Sequence, residues 1–253
     1  LALPTGMSCL ATVANKNAAE TCGVDLTKQI TWDSMLEDGK KLHAENPDYY
    51  YLNTDTKILC EYVLRPYLRQ MTGESFIIDS EKKMSFTREQ LVEVLTYIKD
   101  CYDGGVFEPA EDSATFKGQI HTNPKWMDGK FVFAYGPSSS INLLMDAVPE
   151  AECTVVQMPM AEDRVNDGFF ADTPQYMTVN KNSEHVEEAV DFLNYFYNNA
   201  EAQETLKDVR SIPPTSTARQ LCADKGLLNQ TVVDAVDLAA GLNGKSDKGY
   251  TTS

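Results

Sequence analysis

The residue types that carry out chemistry are all present in this chain, but not at the spacings that chemistry needs. His43, His121 and His185 lie in unrelated polar contexts, and no HxxH or HExxH pair places two imidazoles on one helix face to hold zinc. There is no GxSxG elbow, no GxxxxGK[ST] loop and no GxGxxG turn, which removes the commonest hydrolase, nucleotidase and dinucleotide signals. The 38 acidic residues include pairs such as Glu187 with Glu188, or Asp79 beside Glu81, that a glycosidase would use as acid and base. In so acidic a chain such pairs arise by chance, and solvated helix faces account for them. Cys9, Cys22, Cys60, Cys101, Cys153 and Cys222 are scattered, with no CxxC. They read as free structural thiols: Cys60, Cys101 and Cys222 sit among apolar neighbours, where a thiol acts as a small buried hydrophobe. Free thiols in a secreted protein would point to an organism living with little oxygen. The expectation is a protein with no catalytic residue, no metal site and no cofactor.

Polar and aromatic residues are instead concentrated at the ends of apolar runs. Asn53 to Lys57 leads into Glu61, Tyr62 and Arg65; a second group runs from Tyr135 through Ser138 and Ser139 to Ser140; a third runs from Phe169 through Phe170 and Asp172 to Tyr176. In layered α/β folds the crevice beyond the strand ends is the usual ligand site. Sugars suit such a surface, since hydroxyls need paired donors and acceptors and the apolar face of a pyranose stacks on aromatic rings. Glu61 would accept from two neighbouring hydroxyls, Tyr135 or Phe170 would supply the platform, and free N–H groups at the start of 139–147 would join the serine hydroxyls. The plainer alternative is that Tyr135 and Phe170 are core and the serines only cap a helix.

The elements that must position these residues follow from periodicity and caps. Strands are expected at 9–14, 49–52, 131–135, 154–157 and 176–179. Helices are expected after Thr31, at 57–71, at 88–102 and at 141–148. Further helices are expected after Asn182 and Ser183 as caps, at 201–208, and in the stretch that follows Leu227. The helix 88–102 has the clearest signature: Thr87 and Gln90 form a capping box and Leu91, Val94, Leu95, Ile98 and Tyr102 fall on one face. The later helix 184–197 should bury Val186, Ala189, Val190, Leu193 and Tyr197. Strands alternating with helices predict α/β layers. Residues 241–253 read as a connector or frayed tail.

Composition narrows the partners. The formal charge of -16 repels phosphate backbones and anionic membranes, so nucleic acid is not expected as a partner. No apolar run reaches the length of a membrane span, and the opening residues lack the features of a secretory signal, so an amino-terminal part is expected to be missing.

The order of the pieces adds a resemblance. PTGMSCLATVANK at 4–16, followed by CGVDLTKQITWDSM, is similar to the hinge segment of the family 1 extracellular solute-binding proteins, the maltose-binding-protein-like group. WMDGKFVFAYGPSSSI resembles that family's F..GK.AM...G.W element, and GFFADTPQYMTVNKNSEHVEEAVDFLNYFYNNAEAQETL with the following IPP resembles its return segment. The resemblance implies a periplasmic-binding-protein-like type II α/β fold. Residues 1–165 would form mainly the second, carboxy-terminal lobe, with the hinge strand at its start. Residues 166–240 would be a helical return segment of the first lobe. It also implies the carbohydrate-binding component of a bacterial ABC importer, working with membrane permease subunits, in the periplasm or as a lipoprotein on a Gram-positive surface. By the same match Ser8 falls at the polar hinge position, Glu61 and Tyr62 at a carboxylate and an aromatic, and Phe170 and Asp172 in a contact loop. Ser138 stands where the family often carries a ring-stacking Trp. Competing readings are a binder of another solute such as a polyamine, phosphate ester or metal chelate, an α/β enzyme acting on sugars, and a non-transport interaction domain.

Overall fold

The computed structural model describes residues 2–78, 81–173, 175–209 and 212–245; Asp79 and the tail 246–253 lie outside them. After the short β1 (Leu3–Pro4), β2 (Ser8–Asn15) is buried along its length, as its unbroken run of small and β-branched residues requires. Asn15 ends it by accepting from the Ala18 N–H, which starts α1 (Lys16–Cys22) where a polar connection was expected. Thr31 and Ser34 exchange side-chain to backbone bonds of 3.0 and 2.9 Å, a capping box that opens α2 (Trp32–Glu45).

After β3 (Tyr50–Asn53), the helix expected at 57–71 divides into α3 (Thr56–Ile58), a π-helix (Leu59–Leu64) and α4 (Arg65–Thr72). Pro66 explains the division. It offers no N–H to the Tyr62 carbonyl four residues back, and its ring crowds that carbonyl. The wider turn relieves the clash, with Arg65 N–H reaching back five residues to Cys60.

A small hairpin, β4 (Ile77–Ile78) and β5 (Lys83–Met84), precedes α5 (Arg88–Asp103), whose Thr87–Gln90 capping box forms as expected. Its buried face is Val94, Tyr97 and Cys101, whereas Leu95 is exposed. The cause is Tyr97, which donates to the Trp32 carbonyl at 2.8 Å and meets the rings of Trp32 and Tyr67 edge-on, rotating the helix from the expected face. Then follow α6 (Ala110–Ala114), α7 (Pro124–Met127), β6 (Phe131–Pro137), α8 (Ile141–Asp146) and β7 (Cys153–Val156).

The sheet runs β3, β6, β2, β7; β3 and β6 are parallel, and β2 is antiparallel to both β6 and β7. One core covers one face, built on Trp32, Met35, Tyr51, Phe107 and Phe133. The other face packs on Trp126, Ile141, Leu144 and Val236, with the Trp126 indole N–H donating to the Leu144 carbonyl at 3.0 Å.

The expected return segment 166–240 does not behave as one piece. Here β8 (Ala171–Asp172) pairs with β2, while β9 (Tyr176–Met177) pairs with β1. Helices α9 (Val186–Asn198), α10 (Ala200–Leu206) and the unforeseen α11 (Ser216–Asp224) pack on one another. By contrast α12 (Gln230–Ala240) lies on β2 and β7, sinking Val232, Ala235, Val236 and Ala239 into the second core. The caps expected at Asn182 and Ser183 do not open α9: the Ser183 hydroxyl takes the His185 N–H, and the helix starts at Val186 without a side-chain cap. Residues 241–245 are not frayed. Leu242 packs against both cores, Asn243 exchanges hydrogen bonds with Asp167 at 2.8 and 3.1 Å, and Gly244 N–H donates to the Phe169 carbonyl at 2.9 Å.

Candidate functional site

Because β2 runs against its neighbours, its amino end meets the carboxyl ends of β3 and β6 at one end of the sheet. Three of the residues singled out in the sequence converge there. The Ser8 and Ser138 hydroxyls are 3.0 Å apart and buried, and the Cys9 N–H donates to Ser138 Oγ at 3.3 Å. Asp172 stands beside Ser8 across the β2–β8 ladder, with its Oδ1 accepting from the Thr173 N–H at 2.7 Å. Burial pushes the Cys9 thiol up to about 11, against the opposing effect of the Ser138 hydrogen bond. A thiol held neutral in this way is a packing group and not a nucleophile.

Two expected surface residues lie beneath that surface. Tyr62 and Tyr135 stack with centroids 5.9 Å apart inside the first core, and the Tyr135 hydroxyl donates to the Met35 sulfur at 3.4 Å. Burial raises both phenols well above their ordinary value. Tyr135, only 1% exposed, presents no ring face for a sugar to stack on, so the platform role expected of it is corrected. Burial is the main cause for Tyr62, with smaller contributions in the same direction from the Cys9 thiol and the Glu61 and Asp55 carboxylates.

Glu61 is half-exposed on the π-helix, with one carboxylate oxygen 3.3 Å from the Arg65 guanidinium. Ser139 is exposed on a single 3-10 turn (Ser138–Ser140), and Ser140, the residue at which α8 opens, makes no side-chain cap, so the capping expected there is corrected. Phe170 is half-buried. The buried Arg69 guanidinium lies 5.6 Å from its ring centre and donates to the Gly168 carbonyl at 3.0 Å. Arg69 was missed in the sequence, although Glu61, Arg65 and Arg69 recur at the four-residue spacing that lines one helix face.

The supports of the site are polar groups fully engaged by the chain itself. Asp55 accepts from the Lys57 and Ile58 N–H groups through Oδ1 at 2.7 and 2.8 Å and from Gly118 N–H through Oδ2 at 2.6 Å. Gln70 uses its whole amide. Oε1 accepts from the Trp32 indole at 2.7 Å and from Ala161 N–H at 2.8 Å, while Nε2 donates to the Pro159 and Asp167 carbonyls at 3.0 and 2.9 Å. It thereby fixes the loop that carries Phe169, Phe170 and Asp172. Among the described residues no three His, Cys, Asp or Glu side chains are placed to hold a metal, and no helix is long and apolar enough to cross a membrane.

A family model described as bacterial extracellular solute-binding protein matches residues 1–235. A periplasmic solute-binding protein from Pectobacterium atrosepticum has a TM-score of 0.85 at 21% identity, covering 97% of this chain and 62% of that one. A periplasmic oligogalacturonide-binding protein from Yersinia enterocolitica, in complex with saturated digalacturonic acid, has a TM-score of 0.85 at 23% identity, covering 97% of this chain and 61% of that one. An ABC substrate-binding protein from Listeria monocytogenes, in complex with cycloalternan, gives 0.66 at 17% identity, covering 94% of this chain and 59% of that one. The chain thus spans about three-fifths of the length of these structures, and at such identities the likeness shows a shared fold. No curated protein matches the chain in sequence.

Proposed function

Since the chain belongs to the bacterial extracellular solute-binding family, we propose that it is the carbohydrate-capturing component of an ABC importer, delivering a sugar or oligosaccharide to membrane permease subunits. What supports this reading is the meeting of three separate stretches at one end of the sheet, where the buried Ser8–Ser138 pair underlies the part-exposed Asp172; Glu61 and Phe170, also part-exposed, complete the site in this reading. Carboxylates accept from sugar hydroxyls, and a half-buried ring backed by a guanidinium offers an apolar face; together these suit the surface of a pyranose. The digalacturonic acid and cycloalternan held by the Yersinia and Listeria proteins support the same substrate class.

In this reading β2, β3, β6 and β7 with α1–α8 and α12 form one lobe, while β1, β9 and α9–α11 belong to the other. The chain then leaves this lobe after β8 (Ala171–Asp172), a few residues beyond the boundary expected near 165, and α12 returns to it. The protein works outside the cytoplasmic membrane, in the periplasm or lipid-anchored on a Gram-positive surface. It turns over no substrate.

The test is a thermal-shift and calorimetric screen of the gene product against mono- and oligosaccharides. A ligand at a hundred times its dissociation constant should stabilise the protein by about 2.7 kcal/mol. Glu61→Ala should weaken binding by more than about tenfold, since a hydrogen bond to a charged group contributes roughly 1.5–3 kcal/mol. The two carboxylates, Glu61 and Asp172, favour one rival, a polyamine. Stabilisation by spermidine, with none by any sugar, would displace the carbohydrate reading while leaving the family assignment intact.

A further inference from the structure

A second cavity lies on the first-core face of the sheet, where α2 and the loop 23–30 stand over β3, β6 and β7. It measures about 380 Å³, and none of Ser8, Glu61, Ser138, Phe170 and Asp172 lines it. Its inner wall is apolar: Ile30, Leu42, Tyr51 and Phe133 are buried, and Leu26 and Val156 pack against the same core. The loop that forms the other wall is fixed by the chain itself. Gln29 Nε2 donates to the Ile30 and Met158 carbonyls at 2.8 and 3.0 Å, and Asp25 Oδ1 accepts from the Thr27 N–H at 3.0 Å. The cavity is therefore preformed, as ligand pockets usually are. Tyr51 is the polar group of the inner wall. It is 2% exposed, yet among the described residues nothing hydrogen-bonds its hydroxyl, whereas the Tyr97 and Tyr135 hydroxyls in the same core are both engaged. A buried hydroxyl without a partner in the chain marks a place that another molecule completes. At the mouth, charges of both signs alternate: Asp38, Lys41 and Glu45 along one stripe of α2, and Lys28 with Asp25 3.7 Å apart on the loop.

We propose that this cavity is a second binding site, for a small uncharged aromatic molecule that carries one hydroxyl or ring N–H, of the size of indole or a substituted phenol. The ring lies against Phe133, Leu42 and Val156, and its polar hydrogen is donated to the Tyr51 phenol oxygen. A sugar is a poor fit, because the apolar inner wall would leave most of its hydroxyls without partners. A ligand charged in either sense meets its own sign at the mouth and loses its hydration inside. The site is independent of which solute the protein captures at the serine pair.

The experiment uses the full product of the reading frame that encodes these residues, with indole as the probe and benzoate and benzylamine as charged comparisons. Calorimetric titration is expected to show one indole per chain, with a dissociation constant below about 1 mM. Tyr51→Phe, which removes only the hydroxyl, weakens indole by about fivefold or more. Leu26→Trp, which puts a ring of the protein's own into the cavity, abolishes it. Location is read from Cys22, a half-buried free thiol on the cavity wall: saturating indole slows its alkylation by iodoacetamide, followed by mass spectrometry of the peptide that contains it. Should Tyr51→Phe fail to fold, Leu26→Trp and the Cys22 rate decide. Four results overturn the proposal: no titratable indole binding, which would leave the cavity to water; a Cys22 alkylation rate that indole does not change; benzoate or benzylamine bound as tightly as indole; and full indole affinity in a folded Tyr51→Phe.

Discussion

Replacing Gln70 with Leu keeps the side-chain volume and removes every polar contact of a fully buried amide. It strands the Trp32 indole N–H and the Ala161 N–H, both at 2.7–2.8 Å from Oε1, and the Pro159 and Asp167 carbonyls that Nε2 now serves. Each buried group left without a partner costs roughly 1–3 kcal/mol, and with partial relaxation of the loop the total is about 4 kcal/mol. For a chain of this size each kcal/mol lowers the melting temperature by about 2–4 °C, so a fall of about 8–16 °C is expected. The assay is reversible thermal unfolding followed by circular dichroism, with tryptophan emission reporting on Trp32. Gln220→Leu, at a residue whose side chain donates to exposed Asp224, serves as the control and should shift the midpoint by less than about 2 °C. A Gln70→Leu midpoint within about 3 °C of that control would refute the reasoning, because the loop 158–168 would then hold its place without the amide.

Asp55→Ala removes the α3 cap and strands Gly118 N–H, for a loss of about 2–4 kcal/mol; Asp55→Asn, which can keep the cap through its carbonyl oxygen, should lose less than half of that in urea titrations. Gly168→Ala forces a Cβ to 2.6 Å from the Pro66 carbonyl at a φ of +71, and should destabilise by more than about 2 kcal/mol, whereas Gly118→Ala, with open space around it, should show only backbone strain in the same titration. Burial holds Cys9 at about 11 and Cys101 at about 12, above the ordinary thiol value of 9.0, so their contribution is complete below pH 9 and is lost as pH rises toward 11–12. Each such group steepens the alkaline fall in stability by up to about 1.4 kcal/mol per pH unit; an unchanged slope in the Cys9→Ala, Cys101→Ala double variant would contradict this.

What could be read from the sequence was local. The Thr31 and Thr87 caps, the strand at Phe131 and the helix behind it are written in short-range patterns, and they formed where expected. Ser138 was accessible as a polar residue at the end of an apolar run, whereas Ser8, which meets it, was singled out only by the family resemblance. Long-range packing was not accessible. Nothing local says that Tyr97 will reach Trp32 and roll α5, or that Tyr135 will point into the core and not toward the crevice. Pro66 was a visible warning inside an expected helix. The helical spacing of Ile58, Leu59, Val63, Leu64 and Leu68 across it hid its effect, which is a change of pitch without a break. The placement of α12 on the sheet, away from α9–α11, likewise follows from tertiary burial of Val232 and Val236, which the stripe alone does not specify.

The π-helix at Leu59–Leu64 also has a bearing on how such a protein can change over generations. It contains one residue more than an α-helical turn needs, anchored by Pro66 downstream and by the Asp55 cap upstream. Deleting one codon here, together with a replacement of Pro66, would let the stretch relax to ordinary pitch; the lost residue and the tighter turn compensate, so α4 keeps its register while a neighbouring side chain takes the place of Glu61. Length variation in this single turn is thus a route by which descendants could exchange the rim carboxylate for a different side chain while the sheet, its two cores and the serine pair stay untouched.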